Sequence, residues 1–257
     1  DLIHFGRAEP NGFRKRLYYN SMTRLAAARA KVLTVSHASA DELGQRWPET
    51  RGRIGVVPNG ISEAFVARGG SRQDRRAGLV LFGNGRWHKN LGTMLGAVAH
   101  WQAHGRKADQ SPVTVIGPAE PARALANAAG VQNLVIAQGL ADEQLADLLT
   151  GSAAMLFCSH AEGFGLPILE AIACGCPVVA SDIPVMREVG QTGCVFVNPN
   201  SVSDMASGID RAIDMRWNEA ARATLVAQHG WDASYARVAR EIRALAADLP
   251  PRRRAHH

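Results

Sequence analysis

From residue 79 onward, short uninterrupted apolar runs alternate with longer segments that mix apolar and polar positions at helical spacing. The runs are Leu79–Phe82, Val113–Ile116, Leu134–Ala137, Ala154–Cys158, Pro177–Ala180 and Cys194–Val197. Helical segments lie at 90–103, 119–129, 141–150, 166–174, 184–189 and 201–215, with two more near 217–229 and 232–249. A strand without a polar alternate face is buried on both sides. The pattern therefore predicts an α/β fold, with a doubly wound, six-stranded parallel sheet covered by helices. In such a sheet the ligand lies beyond the carboxyl ends of the strands.

Upstream the rhythm is looser. Residues 13–30 read as a basic amphipathic helix, followed by a short strand over Val32–Ser36. Ser39 is expected to cap a helix, with Glu42 three positions later completing a capping box. A strand at Ile54–Val57 then meets the turn Pro58-Asn59-Gly60. Residues Arg68–Gly78 hold only Gly, Ser, Ala, Gln and charged side chains, the composition of a linker, and a domain boundary is placed there.

Composition narrows the class. The chain has 257 residues, 46% hydrophobic and 20% charged, enough apolar matter for a packed core and too much for general disorder. The longest uncharged stretch, Ala124–Ala141, is broken by Asn127, Gln132, Asn133, Gln138 and glycines, and is no bilayer span. The opening Asp1-Leu2-Ile3-His4-Phe5 is neither a signal peptide nor a methionine start, so the chain reads as a piece of a longer protein.

The net charge of +6 is carried mostly by arginine, at Arg14-Lys15-Arg16, Arg72 to Arg76 and Arg252 to Arg254 among other positions. It favours anionic partners, but no aromatic residues interleave with these clusters as a nucleic-acid stacking platform would require. Solvated faces come first, and loose attraction to an anionic membrane face second. Cys158, Cys174, Cys176 and Cys194 form no Cys-x-x-Cys pair and sit in apolar runs. They read as buried free thiols in a reducing, cytoplasmic compartment, not as metal ligands.

Two stretches carry candidate chemistry. The first strand runs into Gly83-Asn84-Gly85-Arg86-Trp87-His88-Lys89-Asn90, where His88 stands in place of the third glycine of a dinucleotide fingerprint. What remains is a glycine-rich turn with two cations, suited to an anion, in which Lys89 is placed for phosphate contact. An ordinary basic turn is the plainer reading. The second stretch is Ser159-His160-Ala161-Glu162-Gly163-Phe164-Gly165-Leu166-Pro167-Ile168-Leu169-Glu170. Gly163 and Gly165 permit close backbone approach, and Pro167 suits a first helical turn. The free amides at that helix start offer an anion site.

Glu170 is the lone charge on an otherwise apolar helix, so its carboxylate needs hydrogen-bond donors. Sugar hydroxyls would serve, and so would the backbone of its own first turn. Glu162 faces whatever hangs from the anion, or is simply an exposed loop carboxylate.

Glu162 and Glu170, with seven residues between them in the form E-GFGLPIL-E, resemble the E-x7-E motif of glycosyltransferase family 4. Val35-Ser36 before Ser39, Val57-Pro58-Asn59-Gly60, His88-Lys89-Asn90, Ala173-Cys174-Gly175 before Pro177-Val178-Val179, Ser181-Asp182 and Gly230-Trp231-Asp232 agree in family order. The resemblance implies the GT-B architecture of two Rossmann-like domains, and retaining transfer of a hexosyl group from a nucleoside diphosphate sugar to a glycan or lipid-linked acceptor. It casts the chain as mainly the donor-binding half: 1–67 the end of an acceptor-side domain, 68–78 the linker, 79–231 the donor domain, 232–250 a helix returning to the first domain, and 251–257 a disordered tail.

On the same resemblance, Glu170 would hold ribose hydroxyls and Glu162 would contact the donor sugar. Lys89 and the amides of Phe164, Gly165 and Leu166 would neutralise the diphosphate, with Gly163 beside them in the donor site. Gly83 and Asn84 would line the donor turn, and Gln138-Gly139 would meet the base. Relatives place an arginine about six residues before the lysine. Here that region offers Gly83 and Asn84, with Arg86 as the nearest substitute. No cofactor is implied, and no Asp-x-Asp supports a metal-dependent donor site. GDP-mannose and UDP-hexose are both open as donors, with a lean to the first. A nucleotide-sugar epimerase and an inactive nucleotide-sugar-binding protein are the alternatives.

Overall fold

The computed structural model describes residues 21–22, 24–27, 29–68, 76–105, 111–216 and 218–247. The basic helix expected at 13–30 falls largely outside these residues, although 21–22 and 24–27 are helical. The tail 251–257, the Arg14-Lys15-Arg16 cluster and most of the 68–78 segment also lie outside them.

A small parallel sheet pairs β1 (Val32–Thr34) with β2 (Ile54–Val56), joined by α1 (His37–Arg46). After α2 (Glu63–Arg68) comes the main unit: β3 (Leu79–Phe82), α3 (Leu91–His104), β4 (Val113–Ile116), α4 (Ala119–Ala129), β5 (Leu134–Ala137) and α5 (Asp142–Gly151). It continues with β6 (Ala154–Phe157), α6 (Leu166–Ala173), β7 (Val178–Ser181), α7 (Pro184–Gly190), β8 (Cys194–Val197) and α8 (Val202–Ile213). Two further helices, α9 (Glu219–Gln228) and α10 (Trp231–Ala247), end the described chain.

The large sheet has the order β5-β4-β3-β6-β7-β8, and every pairing is parallel. All six strands anticipated from the apolar runs are present. The period of two explains how one sheet serves two cores. Val80, Met155, Phe157, Val178 and Ala180 pack with α6, α7 and α9 on one face. Leu79, Leu81, Val115, Leu156 and Val179 pack with α3 and α8 on the other. The strand order reverses between β3 and β6, which leaves a crevice at their carboxyl ends, the usual ligand position in an open α/β sheet.

Two local expectations change. The cap of α1 is Ser36, not Ser39: Ser36 has extended backbone, and its Oγ accepts the Ser39 amide at 3.1 Å. The helix starts earlier because the Glu188 carboxylate from α7 accepts the amides of His37 and Ala38 at 2.8 and 2.9 Å. Arg68, expected to open a linker, instead ends α2, where its guanidinium pairs with Asp147. At the other end, Gly60 sits against the Trp231 ring, so close that a Cβ would lie 2.4 Å from it. The Ile61 amide bonds the His229 carbonyl at 2.8 Å and Ser234 Oγ bonds the Pro58 carbonyl at 2.7 Å, seating α10 on the Pro-Asn-Gly turn.

Candidate functional site

The crevice at the β3–β6 reversal gathers the two stretches singled out above. Leaving β3, the chain makes a tight corner: the Gly83 amide bonds the Ile116 carbonyl at 3.2 Å, and Asn84 Oδ1 accepts the Arg86 amide at 3.2 Å. A Cβ at Gly117 would lie 1.8 Å from the Gly83 carbonyl oxygen, so the β3 and β4 corners touch through bare backbone. A 3-10 turn over Trp87–Lys89 then ends at Asn90, which adopts the left-handed conformation (φ 54°). Its buried Nδ2 donates to the carbonyls of Cys158 (2.9 Å) and Pro199 (2.7 Å). His160 donates its amide to the His88 carbonyl at 2.7 Å. These bonds pin the lysine-bearing turn to the end of β6.

That placement joins Lys89 to Glu162, 73 positions apart, at 2.7 Å. Their side chains are 25% and 11% exposed, sheltered enough for the pair to outweigh a surface ion pair. Lys89 Nζ also lies 5.4 Å from the centre of the Phe157 ring. The exposed Trp87 ring stacks on His160 at 6.1 Å beside them.

Beyond Glu162 the loop is held from outside. The Gly163 carbonyl accepts from Ser36 Oγ at 2.7 Å and from Ser39 Oγ at 3.1 Å. Phe164 is buried with its ring 5.8 Å from that of His229. Gly165 takes the left-handed conformation (φ 96°) as the N-cap of α6, a geometry that favours glycine. Among the described residues nothing accepts the amides of Gly163, Phe164, Gly165 or Leu166, so the helix start presents unpaired donors.

Glu170 lies one turn into α6, on the same face as Leu166. The rest of the helix from Ile168 onward is buried. No described residue, its own first turn included, donates to its carboxylate, so the backbone-capping alternative is not met. Burial, with Asp142 nearby as the lesser cause, pushes its pKa up to about 7. This is an ionisable group without a partner, where a ligand could supply one.

The remaining expected residues are less concentrated. Arg86 is exposed and pairs with no described acidic group. Gln138 and Gly139 are exposed after edge strand β5, three strands from β6 and so roughly 14 Å along the sheet. Of the cysteines, burial pushes Cys174 up to about 11 and Cys176 up to about 12, the state of inert core thiols. Among the described residues no group of three or more His, Cys, Asp or Glu side chains is arranged to hold a metal ion. None of their helices is long and apolar enough to cross a membrane.

Sequence reasoning gave Ser39 a capping role only and assigned none to Ser36, Asn90 or Glu188. Asn90 left a signal, because asparagine tolerates the left-handed turn.

Residues 68–227 match the family Glycosyl transferases group 1. The chain is 26% identical over 211 residues to the O-antigen chain mannosyltransferase RfbU of Salmonella typhimurium, covering 78% of this chain and 56% of that protein. It is 32% identical over 196 residues to the MMP alpha-(1->4)-mannosyltransferase of Mycolicibacterium hassiacum, covering 74% and 47%. A GDP-mannose:cellobiosyl-diphosphopolyprenol alpha-mannosyltransferase of Komagataeibacter xylinus is 29% identical, covering 78% and 51%. The chain thus spans about half the length of the curated relatives it matches.

Among solved structures, sucrose-phosphate synthase from Thermosynechococcus elongatus superposes with a TM-score of 0.74 at 19% identity, covering 96% of this chain and 66% of that one. A glycosyltransferase from Rickettsia africae gives 0.72 at 17%, covering 94% and 69%. The fold is that of the GT-B glycosyltransferases, and the chain belongs to the group 1 glycosyl transferase family.

Proposed function

We propose that this chain is the donor-binding half of a retaining hexosyltransferase of glycosyltransferase family 4, taking its sugar from a nucleoside diphosphate sugar and passing it to a glycan or lipid-linked acceptor. The observation that supports this is the loop running from the carboxyl end of β6 into α6, which carries the Lys89–Glu162 pair, four amides with no described acceptor and, one turn into the helix, Glu170 with no described donor. Each matches one part of such a donor. The amides at Gly163–Leu166 and the Lys89 ammonium suit the diphosphate. Glu170 suits the ribose hydroxyls, and Glu162 the hydroxyls of the transferred sugar. Gln138-Gly139 at the sheet edge suits the base, and Arg86 is free to reach the phosphates from the solvent side.

Transfer breaks the bond between the anomeric carbon and the phosphate oxygen, and negative charge gathers on the departing diphosphate. Lys89 and the fixed amides stabilise that charge, the largest contribution a protein of this kind makes. Lys89 begins paired with Glu162, so donor binding exchanges one anionic partner for another and Glu162 is freed to turn toward the sugar. This scheme needs no metal, in keeping with the absence of Asp-x-Asp from the sequence.

Mannose as the sugar is supported by the names of the relatives, of which the Komagataeibacter protein's specifies GDP-mannose and a diphosphopolyprenol acceptor. The positive charge of the chain suits work beside an anionic membrane face on the cytoplasmic side. The test is a thermal-shift screen of the chain against GDP-mannose, UDP-glucose and ADP-glucose. GDP-mannose is expected to raise the Tm most, since a ligand at ~100 times its Kd adds ~2.7 kcal/mol. A flat response to all three would refute the donor reading.

A further inference from the structure

We propose that Ser36 and Ser39 are positioning residues that set the direction of the peptide between Gly163 and Phe164, so that its amide and not its carbonyl faces the diphosphate. The proposal rests on the donor reading above.

Both hydroxyls donate to one acceptor, the Gly163 carbonyl oxygen, at 2.7 and 3.1 Å. Both serines are buried, at 0% and 2% exposure, so water does not compete for these bonds. The described peptide bonds are all trans, and a planar trans peptide points its C=O and N–H in opposite directions. Holding the Gly163 oxygen against α1 therefore turns the Phe164 N–H away from α1, to a side where no described residue accepts it.

The sign of this dipole matters. That peptide turns through ψ of Gly163 and φ of Phe164, and the absence of a Cβ on Gly163 lowers the steric cost on its side. Turned over, it would aim the negative end of a carbonyl at an anion, replacing an attraction with a repulsion of similar size. Two hydroxyls on one oxygen oppose that rotation more strongly than one.

The serines are in turn held by elements outside the large sheet. Ser36 Oγ caps α1 while donating to Gly163. Glu188 fixes the same helix start through the amides of His37 and Ala38. The β1–α1 unit thus contributes to the donor site through a single carbonyl, without touching the ligand.

The test is calorimetric titration of the chain with GDP, UDP and ADP, each against its own nucleoside. Three variants are compared: Ser39→Ala, which leaves the Ser36 cap in place, the double Ser36→Ala/Ser39→Ala, and Glu188→Gln, which loosens α1 without removing a bond to Gly163. For the best-bound diphosphate, about threefold weaker binding is expected in Ser39→Ala and about tenfold in the double variant. Nucleoside affinity should stay within about twofold in both, since base and ribose are held elsewhere.

Glu188→Gln keeps both serine bonds to Gly163, so it should lower the Tm while lowering the ratio of diphosphate to nucleoside affinity less than Ser39→Ala does. A parallel fall in both affinities would mark a general loosening and overturn the proposal, as would undiminished diphosphate binding in Ser39→Ala. If the double variant does not fold, Ser39→Ala decides alone. Absence of diphosphate binding in the unmodified chain would remove the donor reading and this inference together. Binding retained in the variants would remove only the inference.

Discussion

Glu170 offers the sharpest quantitative consequence, because its carboxyl titrates near neutrality with no protein partner. Burial, aided by Asp142, raises its pKa from the ordinary 4.5 to about 7. Ribose hydroxyls donate to a carboxylate, so the ionised form is the one that binds. Donor affinity should therefore level off above about pH 8, halve by about pH 7 and fall further below it. At pH 6 only about one carboxyl in eleven is ionised, an approximately tenfold loss of affinity, or ~1.4 kcal/mol.

The assay is calorimetric titration of GDP-mannose from pH 5.5 to 8.5, the sugar diester being chosen because its phosphates do not titrate there. Glu170→Gln should bind more weakly at pH 8 and lose the pH dependence. The same shift has a stability counterpart of opposite direction. A carboxyl whose folded pKa lies above its unfolded one costs nothing below pH 4.5, and its full penalty is reached above about 7. That penalty is of order 3 kcal/mol. Glu170→Gln should accordingly raise the Tm of the ligand-free chain at pH 8 and leave it nearly unchanged at pH 4.5. A wild-type affinity that is constant from pH 6 to 8, or a variant that keeps the wild-type profile, would refute the reasoning.

Lys89→Ala leaves Glu162 sheltered and unpaired. It should lower the Tm and weaken diphosphate binding about tenfold or more, read by thermal melts and calorimetry. In an enzyme containing the whole protein, it should reduce kcat far more than it alters the choice of sugar. Gly117→Ala places a methyl against the Gly83 carbonyl and should cost ~2 kcal/mol or more in a denaturant titration, with donor binding weakened through the displaced β3 corner. Addition of a chelator should leave GDP-mannose affinity unchanged; a loss restored by magnesium or manganese would contradict the metal-free scheme.

How much of this was legible in the sequence depended on the range of the interaction concerned. The six strands could be read directly, because their apolar residues run nearly without polar alternates, even in edge strand β5, where Val135 is exposed. Their order, which sets the reversal between β3 and β6, was not legible in the runs and comes from the fold. Helix α2 was missed: it is only six residues long, and its buried Phe65 gives no periodic signal at that length.

The cap of α1 was misplaced because Ser39 and Glu42 satisfy a local motif, while the actual boundary is set by Glu188 from 150 positions away. The approach of Lys89 to Glu162 likewise depends on β3 lying next to β6, a fact of topology and not of spacing. Ser36 and Ser39 were visible as motif residues, but their bonds to the Gly163 carbonyl were not, since a hydroxyl bond to a distant backbone oxygen constrains neither composition nor period.

A crystal structure of the chain soaked with GDP-mannose tests the central claim most directly. The account predicts the diphosphate within hydrogen-bonding distance of the Phe164–Leu166 amides and Lys89 Nζ, with ribose oxygens on the Glu170 carboxylate. A nucleotide bound away from the β3–β6 crevice, or one in the crevice whose phosphates turn away from α6, would contradict it.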